Sequence, residues 1–154
     1  NWSLTLVGDR YSGAPLLVEY VERAAELNPR IRWLGVVDDE TLGRLYSQSS
    51  FTVYPSTLEG FGMPVLESLW HARPCLCSNR GVTAELAAEG GCLTLNVEDS
   101  SDLAAGIARL IEDCELRNRL SLEAAARKLK RWDDYARDFY EILQKQGFGP
   151  GADV

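Results

Sequence analysis

Residues 54–74, YPSTLEGFGMPVLESLWHARP, combine a glycine-rich turn with the start of an apolar helix. Gly60 and Gly62 can adopt positive φ angles or let a ligand approach the bare backbone. Pro64 suits the first turn of the following helix, where its missing N–H costs nothing. The amides of Phe61, Gly62 and Met63 are therefore expected to be free at a helix N-terminus, which is a natural seat for an anion such as phosphate.

Two carboxylates flank this turn, and they could bind hydroxyl groups of a ligand whose anionic part binds the turn. A carboxylate at Glu67 would repel a phosphate, so we expect it to face a part of the ligand that carries hydroxyls. Its two oxygens can accept from both hydroxyls of a ribose diol, at about 1.5–3 kcal/mol for each charge-assisted bond. Glu59, before the helix, would meet other hydroxyls. The whole set predicts a nucleoside diphosphate sugar as ligand. The alternative is a tight turn in which Glu67 only stabilises the helix dipole.

Neighbouring residues add weaker predictions. His71 follows Glu67 by four positions, so a carboxylate–imidazole pair on one helical face is an alternative role for both. We expect Ser56 to bond to nearby backbone. Zinc binding is disfavoured by the single histidine and by the spacing of the four cysteines, Cys75, Cys77, Cys92 and Cys114. The sequence therefore predicts buried reduced thiols in a cytoplasmic protein, with no metal and no cofactor.

Short apolar runs alternate with helical patterns along the chain. Strands are predicted at residues 4–8, 31–35, 51–55, 74–78 and 92–96. A helix capped by Asp38 or Asp39 carries Leu42, Leu45 and Tyr46 on one side, and the other helices are predicted at 15–27, 63–72, 83–88, 101–113, 115–131 and 133–146. The alternation predicts an α/β fold, a doubly wound parallel sheet with helices on both faces and a helical C-terminal tail. Ligands of such sheets bind outside the carboxyl ends of the strands, where the turn after residue 55 lies.

Composition narrows the class of protein further. The chain has 154 residues, 45% hydrophobic and 25% charged, with a net charge of −7. We assign residues 1–146 to one domain with a full core and 147–154 to a flexible tail. The acidic balance argues against nucleic acid as a partner. No apolar run approaches the roughly 20 residues of a membrane span. Six basic residues against one acidic between 117 and 131 predict a solvated helix face, with attraction to a membrane surface as the minor alternative.

Residues 54–78, YPSTLEGFGMPVLESLWHARPCLCS, resemble the PS-x-x-E-G-F-G-x-P-x-x-E signature of group 1 (GT4) retaining glycosyltransferases of the GT-B fold. The resemblance continues in LTLVG, in IRWLGVVDDETLGRLY and in CSNRGVTAELAAEGG. Residues 110–143 resemble the helical tail of the family. Nearly the whole chain is covered, and the resemblance implies the Rossmann-like, nucleotide-sugar-binding half of a GT-B enzyme.

The resemblance also implies roles for individual residues. Glu67 matches the glutamate that binds the ribose hydroxyls of the donor nucleotide, and Glu59 matches the one beside the donor sugar, which makes it the catalytic candidate. The remaining implied contacts are backbone groups of the motif turn and residues that line the pocket near the base: Gly60, Phe61, Gly62, Met63, Gly35, Val36, Asp38 and Gly8. Members of the family generally use no bound metal, so the helix N-terminus would stabilise the departing diphosphate.

Two parts of the family pattern have no match in this sequence. They are the N-terminal acceptor-binding domain and a first strand and helix that carry an Arg and a Lys for the diphosphate. The opening NWSLTLVGD also has no Met, so we expect part of a longer protein that is inactive by itself. In the order 3-2-1-4-5-6, the strands at 4–8 and 51–55 would flank a gap. Either these two strands pair with each other, or a strand of another chain inserts into the gap, or the sequence omits residues that fill it.

The expected function is donor binding within an enzyme that transfers a hexose to a glycan or lipid-linked acceptor. Synthesis of a bacterial surface polysaccharide is the expected setting, in the cytoplasm or at the inner face of the membrane. Two alternatives remain open from the sequence. One is a non-catalytic module that binds sugar nucleotides, and the other is a different GT-B enzyme such as a sugar-nucleotide epimerase.

Overall fold

Strands and helices alternate along the first two thirds of the chain, and three helices complete it. This description comes from a computed structural model, which describes residues 2–146. The elements in chain order are β1 (Leu4–Leu6), α1 (Pro15–Leu27), β2 (Ile31–Trp33), α2 (Asp39–Gln48), β3 (Thr52–Tyr54), α3 (Met63–Trp70), β4 (Cys75–Ser78), α4 (Gly81–Ala87), β5 (Cys92–Leu95), α5 (Ser100–Glu112), α6 (Cys114–Ala126) and α7 (Trp132–Lys145). All predicted elements occur in the predicted order. The flexible tail predicted at 147–154 lies outside the described residues.

All strand pairs are parallel, but the five strands form two sheets. β1 pairs with β2, with Leu4 opposite Ile31. The second sheet has the order β3-β4-β5, with Thr52 opposite Cys75 and Cys75 opposite Cys92. Within residues 2–146, β1 and β3 do not pair. The first resolution of the predicted gap, a direct pairing of these two strands, is therefore not what the structure shows.

β4 lies at the centre of the packing, and all four of its residues are buried. Successive side chains of a strand point to opposite faces of the sheet. Cys75 and Cys77 accordingly pack in one cluster, together with Val65, Leu69 and Ala124. Leu76 belongs to the other cluster, together with Val97, Leu110, Leu116 and Leu120. Helices therefore cover both faces of the sheet, which confirms the predicted α/β, Rossmann-like architecture.

The first two strands end earlier than predicted because their predicted last residues form turns. β1 ends at Leu6 and β2 at Trp33, two residues before Gly8 and Gly35. Gly8 has a φ of 131° and Gly35 a φ of 69°, values that residues with a Cβ rarely adopt. The Gly8 N–H donates to the Gly35 carbonyl at 2.9 Å. The two glycines thus form one linked turn at the carboxyl ends of β1 and β2.

The single helix predicted over 115–131 is wrong beyond Ala126, where α6 ends. Arg127 has an extended backbone, and its side chain is only 7% exposed. Its guanidinium donates to the carbonyls of Leu86 and Gly90 at 2.7 and 3.1 Å, because a buried charge needs such acceptors. Arg117 likewise donates to two carbonyls of α5. The basic residues of this segment therefore do not form one solvated face. No helix within residues 2–146 has the length and apolar character to cross a membrane.

The four cysteines are free thiols, as predicted, but their burial differs. Cys75 and Cys77 are fully buried in β4, and Cys92 is partly buried in β5. Cys114 is exposed, so the prediction of burial is wrong for this residue. It is the first residue of α6, in the turn that follows α5.

Candidate functional site

The glycine turn joins β3 to α3 at the carboxyl edge of the three-stranded sheet. Gly62 is the N-cap of α3, in the left-handed conformation with a φ of 73°. A Cβ on Gly62 would lie 2.8 Å from Cδ1 of Leu86 on α4, so the end of that leucine side chain would have to move to admit a larger residue. Pro64 occupies the first turn of α3, as predicted. The fold by itself therefore requires glycine at position 62.

Gly60 differs from Gly62, because nothing in the fold requires a glycine at this position. Its φ lies outside the left-handed range, and a Cβ there would meet no atom within 4 Å. Phe61 and Met63 on the same turn are exposed. The turn thus presents bare backbone and open space at a helix N-terminus, where the first amides have no partners within the helix.

Glu59 is held in place by two hydroxyl groups. Tyr54, the last residue of β3, donates its hydroxyl to Oε1 of Glu59, and Ser56 donates to the same oxygen at 2.7 Å. The hydrogen bond from Tyr54, followed by the one from Ser56, holds the pKa of Glu59 below its usual range. Burial and the bond to Glu59 raise the pKa of Tyr54 to about 12. Glu59 is therefore ionised at neutral pH, with Oε2 still available to accept.

Glu59 also lines a cavity of about 180 Å³ between the loops that follow β3 and β4. Ser56 and Leu58 line it from the first loop. Arg80 lines it from the second loop, and Thr83 lines it from the first turn of α4. Arg80 itself pairs with Glu98 at 3.0 Å. Glu59 thus faces a partly open cavity large enough for a small ligand group, and Glu85 of α4 lines the same cavity.

Glu67 is bound by a residue that sequence reasoning assigned to an apolar helix face. The hydroxyl of Tyr46, on α2, donates to Oε2 of Glu67, on α3, at 2.9 Å. The predicted alternative, a pair between Glu67 and His71, does not form among the described residues. His71 instead lies 3.1 Å from the Ser47 hydroxyl through Nδ1, and its ring stacks on Tyr46.

The residues predicted to lie beside the base occupy the turn between β2 and α2. Asp38 is the N-cap of α2, and its carboxylate accepts from the Thr41 amide at 2.7 Å. Bonds to Thr41 lower the pKa of Asp38. Val36 is exposed, and the Gly8 carbonyl accepts from the Trp33 indole at 2.9 Å. Asp38 thus has a structural task, whereas Val36 and the two glycine turns present an open surface.

Sequence reasoning missed the tyrosines that hold the two carboxylates. The pattern predicts Tyr46 on one helix face with Leu42 and Leu45, and Tyr54 near the end of a strand. A signal was present, because a partly buried tyrosine needs a partner for its hydroxyl. The partner could not be named, since Tyr46 and Glu67 are 21 residues apart. Ser56 was predicted to bond to backbone, and its shorter contact is with Glu59.

The candidate site comprises two groups of residues at the carboxyl ends of the strands. The first comprises the motif turn with Glu59 and Glu67, and the second comprises the turns at Gly8 and Gly35. No hydrogen bond joins the two groups within residues 2–146. The first group can donate backbone N–H to an anion and accept from hydroxyls at two carboxylates. No group of three or more His, Cys, Asp or Glu in this part of the chain could hold a metal ion.

Comparison with known proteins identifies relatives of the whole motif region. The family described as "Glycosyl transferases group 1" matches residues 1–127. The O-antigen chain mannosyltransferase B of Escherichia coli is 35% identical over 113 residues, which are 73% of this chain and 29% of that protein. The E. coli serotype-specific mannosyltransferase WbdA is 30% identical over 113 residues, 73% of this chain and 13% of that protein. The chain thus spans less than a third of the length of these relatives.

Solved structures share the fold. HepE from Anabaena, in complex with UDP and glucose, has a TM-score of 0.76 at 23% identity and covers 92% of this chain and 40% of that one. Sucrose-phosphate synthase from Thermosynechococcus elongatus has a TM-score of 0.78 at 24% identity and covers 94% of this chain and 38% of that one. The likeness agrees with the Rossmann-like arrangement of parallel strands and helices. Since the family match includes both sheets and the complete motif turn, the chain belongs to the group 1 glycosyltransferases.

Proposed function

We propose that this chain binds the nucleoside diphosphate sugar donor of a retaining hexosyltransferase that acts on a glycan or lipid-linked acceptor. The observation that carries the proposal is the turn at Gly60. Its bare backbone adjoins a helix N-terminus, and no neighbouring atom accounts for the glycine. Glu59 and Glu67 lie on either side of it in the sequence, each held by a tyrosine hydroxyl.

In this proposal each part of the donor binds a different part of the site. The amides of Gly60, Phe61, Gly62 and Met63 contact the sugar and the diphosphate, because a helix N-terminus favours negative charge. Glu67 accepts from the ribose hydroxyls. The base lies beside the turn of Gly35, Val36 and Asp38, and Gly8 lines the pocket.

Glu59 is proposed to act on the donor sugar. Positive charge develops on this sugar in an oxocarbenium-like transition state. The lowered pKa of Glu59 keeps its carboxylate ionised, and a negative group near the sugar stabilises that charge. The helix N-terminus of α3 would meanwhile stabilise the leaving diphosphate, so the two ends of the breaking bond face opposite charges.

The relatives guide the choice of substrates. Two of them are named mannosyltransferases, and one of these acts in O-antigen chains by its name. Mannose is therefore the first hexose to test, and a bacterial surface polysaccharide is the proposed product. Because the chain spans less than a third of these relatives, the proposal assigns the acceptor to a second domain. Four free cysteines support a cytoplasmic setting, and a lipid-linked acceptor would bring the enzyme to the inner membrane face.

Glu67→Gln in the full-length protein tests the proposal. The substitution keeps the shape of the side chain but removes charge assistance from two hydroxyl contacts, which costs about 1–3 kcal/mol. Calorimetric titration with GDP-mannose and UDP-glucose should show an affinity about 5- to 150-fold lower for the donor that the unaltered protein prefers. Glu26→Gln, on the exposed side of α1, is the matched control. Equal affinities for Glu67→Gln and the unaltered protein would contradict the proposal.

A further inference from the structure

We propose that Tyr46 is a positioning residue for the donor nucleotide, because its hydroxyl holds the Glu67 carboxylate ready for a ribose diol. The inference rests on the proposed function, which assigns the ribose to Glu67. It adds a residue outside the motif turn, on a different helix. Tyr46 itself need not touch the ligand.

The contact between Tyr46 and Glu67 has a definite direction. The Tyr46 hydroxyl donates to Oε2 of Glu67 at 2.9 Å, in partly buried surroundings. Burial and the adjacent Glu67 both raise the pKa of Tyr46 well above its usual value. The phenol therefore keeps its proton at neutral pH, so it remains a donor there.

Contacts with His71 also restrict the position of the Tyr46 ring. It stacks on His71 with parallel planes, 5.4 Å between the ring centroids. His71 is fixed in turn by the Ser47 hydroxyl at 3.1 Å from Nδ1, and the Arg73 guanidinium donates to the Ser47 carbonyl. The end of α2 is thus tied to the end of α3 by several contacts, and the Tyr46 hydroxyl has little freedom to leave Glu67.

Counting acceptor positions shows why this arrangement suits a diol. A carboxylate has about four lone-pair sites on its two oxygens. Tyr46 occupies one site on Oε2, so three sites remain and a diol needs two. Glu67 would otherwise have to be immobilised by the ligand, and immobilising one flexible side chain lowers affinity by about 2- to 12-fold. Tyr46 orders this side chain before the nucleotide arrives.

The test is Tyr46→Phe in the full-length protein, which keeps the stacked ring and removes only the hydroxyl. UDP, GDP and their 2′,3′-dideoxy analogues are titrated by calorimetry against the unaltered protein and the variant. For the preferred ribonucleotide we expect about 3- to 10-fold weaker binding, with no change for its dideoxy analogue. Tyr20→Phe, an exposed tyrosine on α1, removes the same atom and should change neither affinity.

The outcomes separate this inference from the proposed function. Equal losses for the ribonucleotide and its dideoxy analogue would mean that Tyr46 only supports the fold, which overturns the inference. No loss in Tyr46→Phe, combined with a selective loss in Glu67→Gln, overturns it while the proposed function stands. If Glu67→Gln leaves the ratio of the two affinities unchanged, the proposed function falls and the inference with it. In the double variant Tyr46→Phe/Glu67→Gln, the ratio of the affinities for the ribonucleotide and its dideoxy analogue should equal that of Glu67→Gln alone.

Discussion

Gly62→Ala should destabilise the protein by about 2 kcal/mol, whereas Gly60→Ala should stabilise it slightly, by about 0.4–1 kcal/mol. At Gly62 a left-handed residue with a Cβ costs about 1–2 kcal/mol, and the φ is 73°. The 2.8 Å approach to Leu86 adds about 1–2 kcal/mol of overpacking, the low part of the range because a leucine end can move. Replacing glycine by alanine also lowers the conformational entropy of the unfolded chain, which stabilises the folded protein by about 0.4–1 kcal/mol. At Gly60 neither cost applies.

Urea unfolding followed by tryptophan fluorescence measures this difference, since the chain contains four tryptophans. With a slope of about 2 kcal/mol per molar urea, Gly62→Ala should lower the midpoint by about 1 M. Gly60→Ala should raise the midpoint by about 0.2–0.5 M and yet bind the donor more weakly, because its Cβ would fill the space that the proposed site leaves for the ligand. Equal destabilisation by the two substitutions, or full donor affinity in Gly60→Ala, would refute the reasoning.

Three further outcomes follow from the described contacts. Glu59→Ala should lower turnover more than affinity for the free nucleoside diphosphate in the full-length enzyme, and equal losses in both would indicate a purely binding role. Ala72→Gly should stabilise the fold by about 0.5–1 kcal/mol in urea, because Ala72 has a left-handed φ of 53°; a destabilised variant would show that this strain is not relieved. In the native protein a thiol reagent such as DTNB should modify exposed Cys114 and spare Cys75 and Cys77 until the protein unfolds. Persistence of the rapid reaction in Cys114→Ser would contradict the assigned exposures.

The elements that depend on local pattern were predictable from the sequence. β4 is a short apolar run with alternating faces, and its side chains separate into two clusters as its periodicity predicts. Residue type predicted an N-cap of α2 at Asp38 or Asp39, and the structure has it at Asp38. The end of α6 was not predictable in this way. Residues 127–131 contain no glycine or proline, and Arg127, where the helix ends, binds the carbonyls of Leu86 in α4 and of Gly90 in the loop after it.

The features of the candidate site likewise fall into those that the sequence determined and those that only the tertiary structure decided. Residue type and spacing by themselves determined the glycine turn, the helix start at Met63 with Pro64 in its first turn, and the two carboxylates, because a turn and a helix N-terminus are built from consecutive residues. Only the tertiary structure showed that a side chain at position 62 would meet Leu86 whereas one at position 60 would meet open space. It also decided that Tyr46, rather than His71, binds Glu67. The physical reason is that such contacts join residues distant in the chain, and their geometry depends on how α2, α3 and α4 pack.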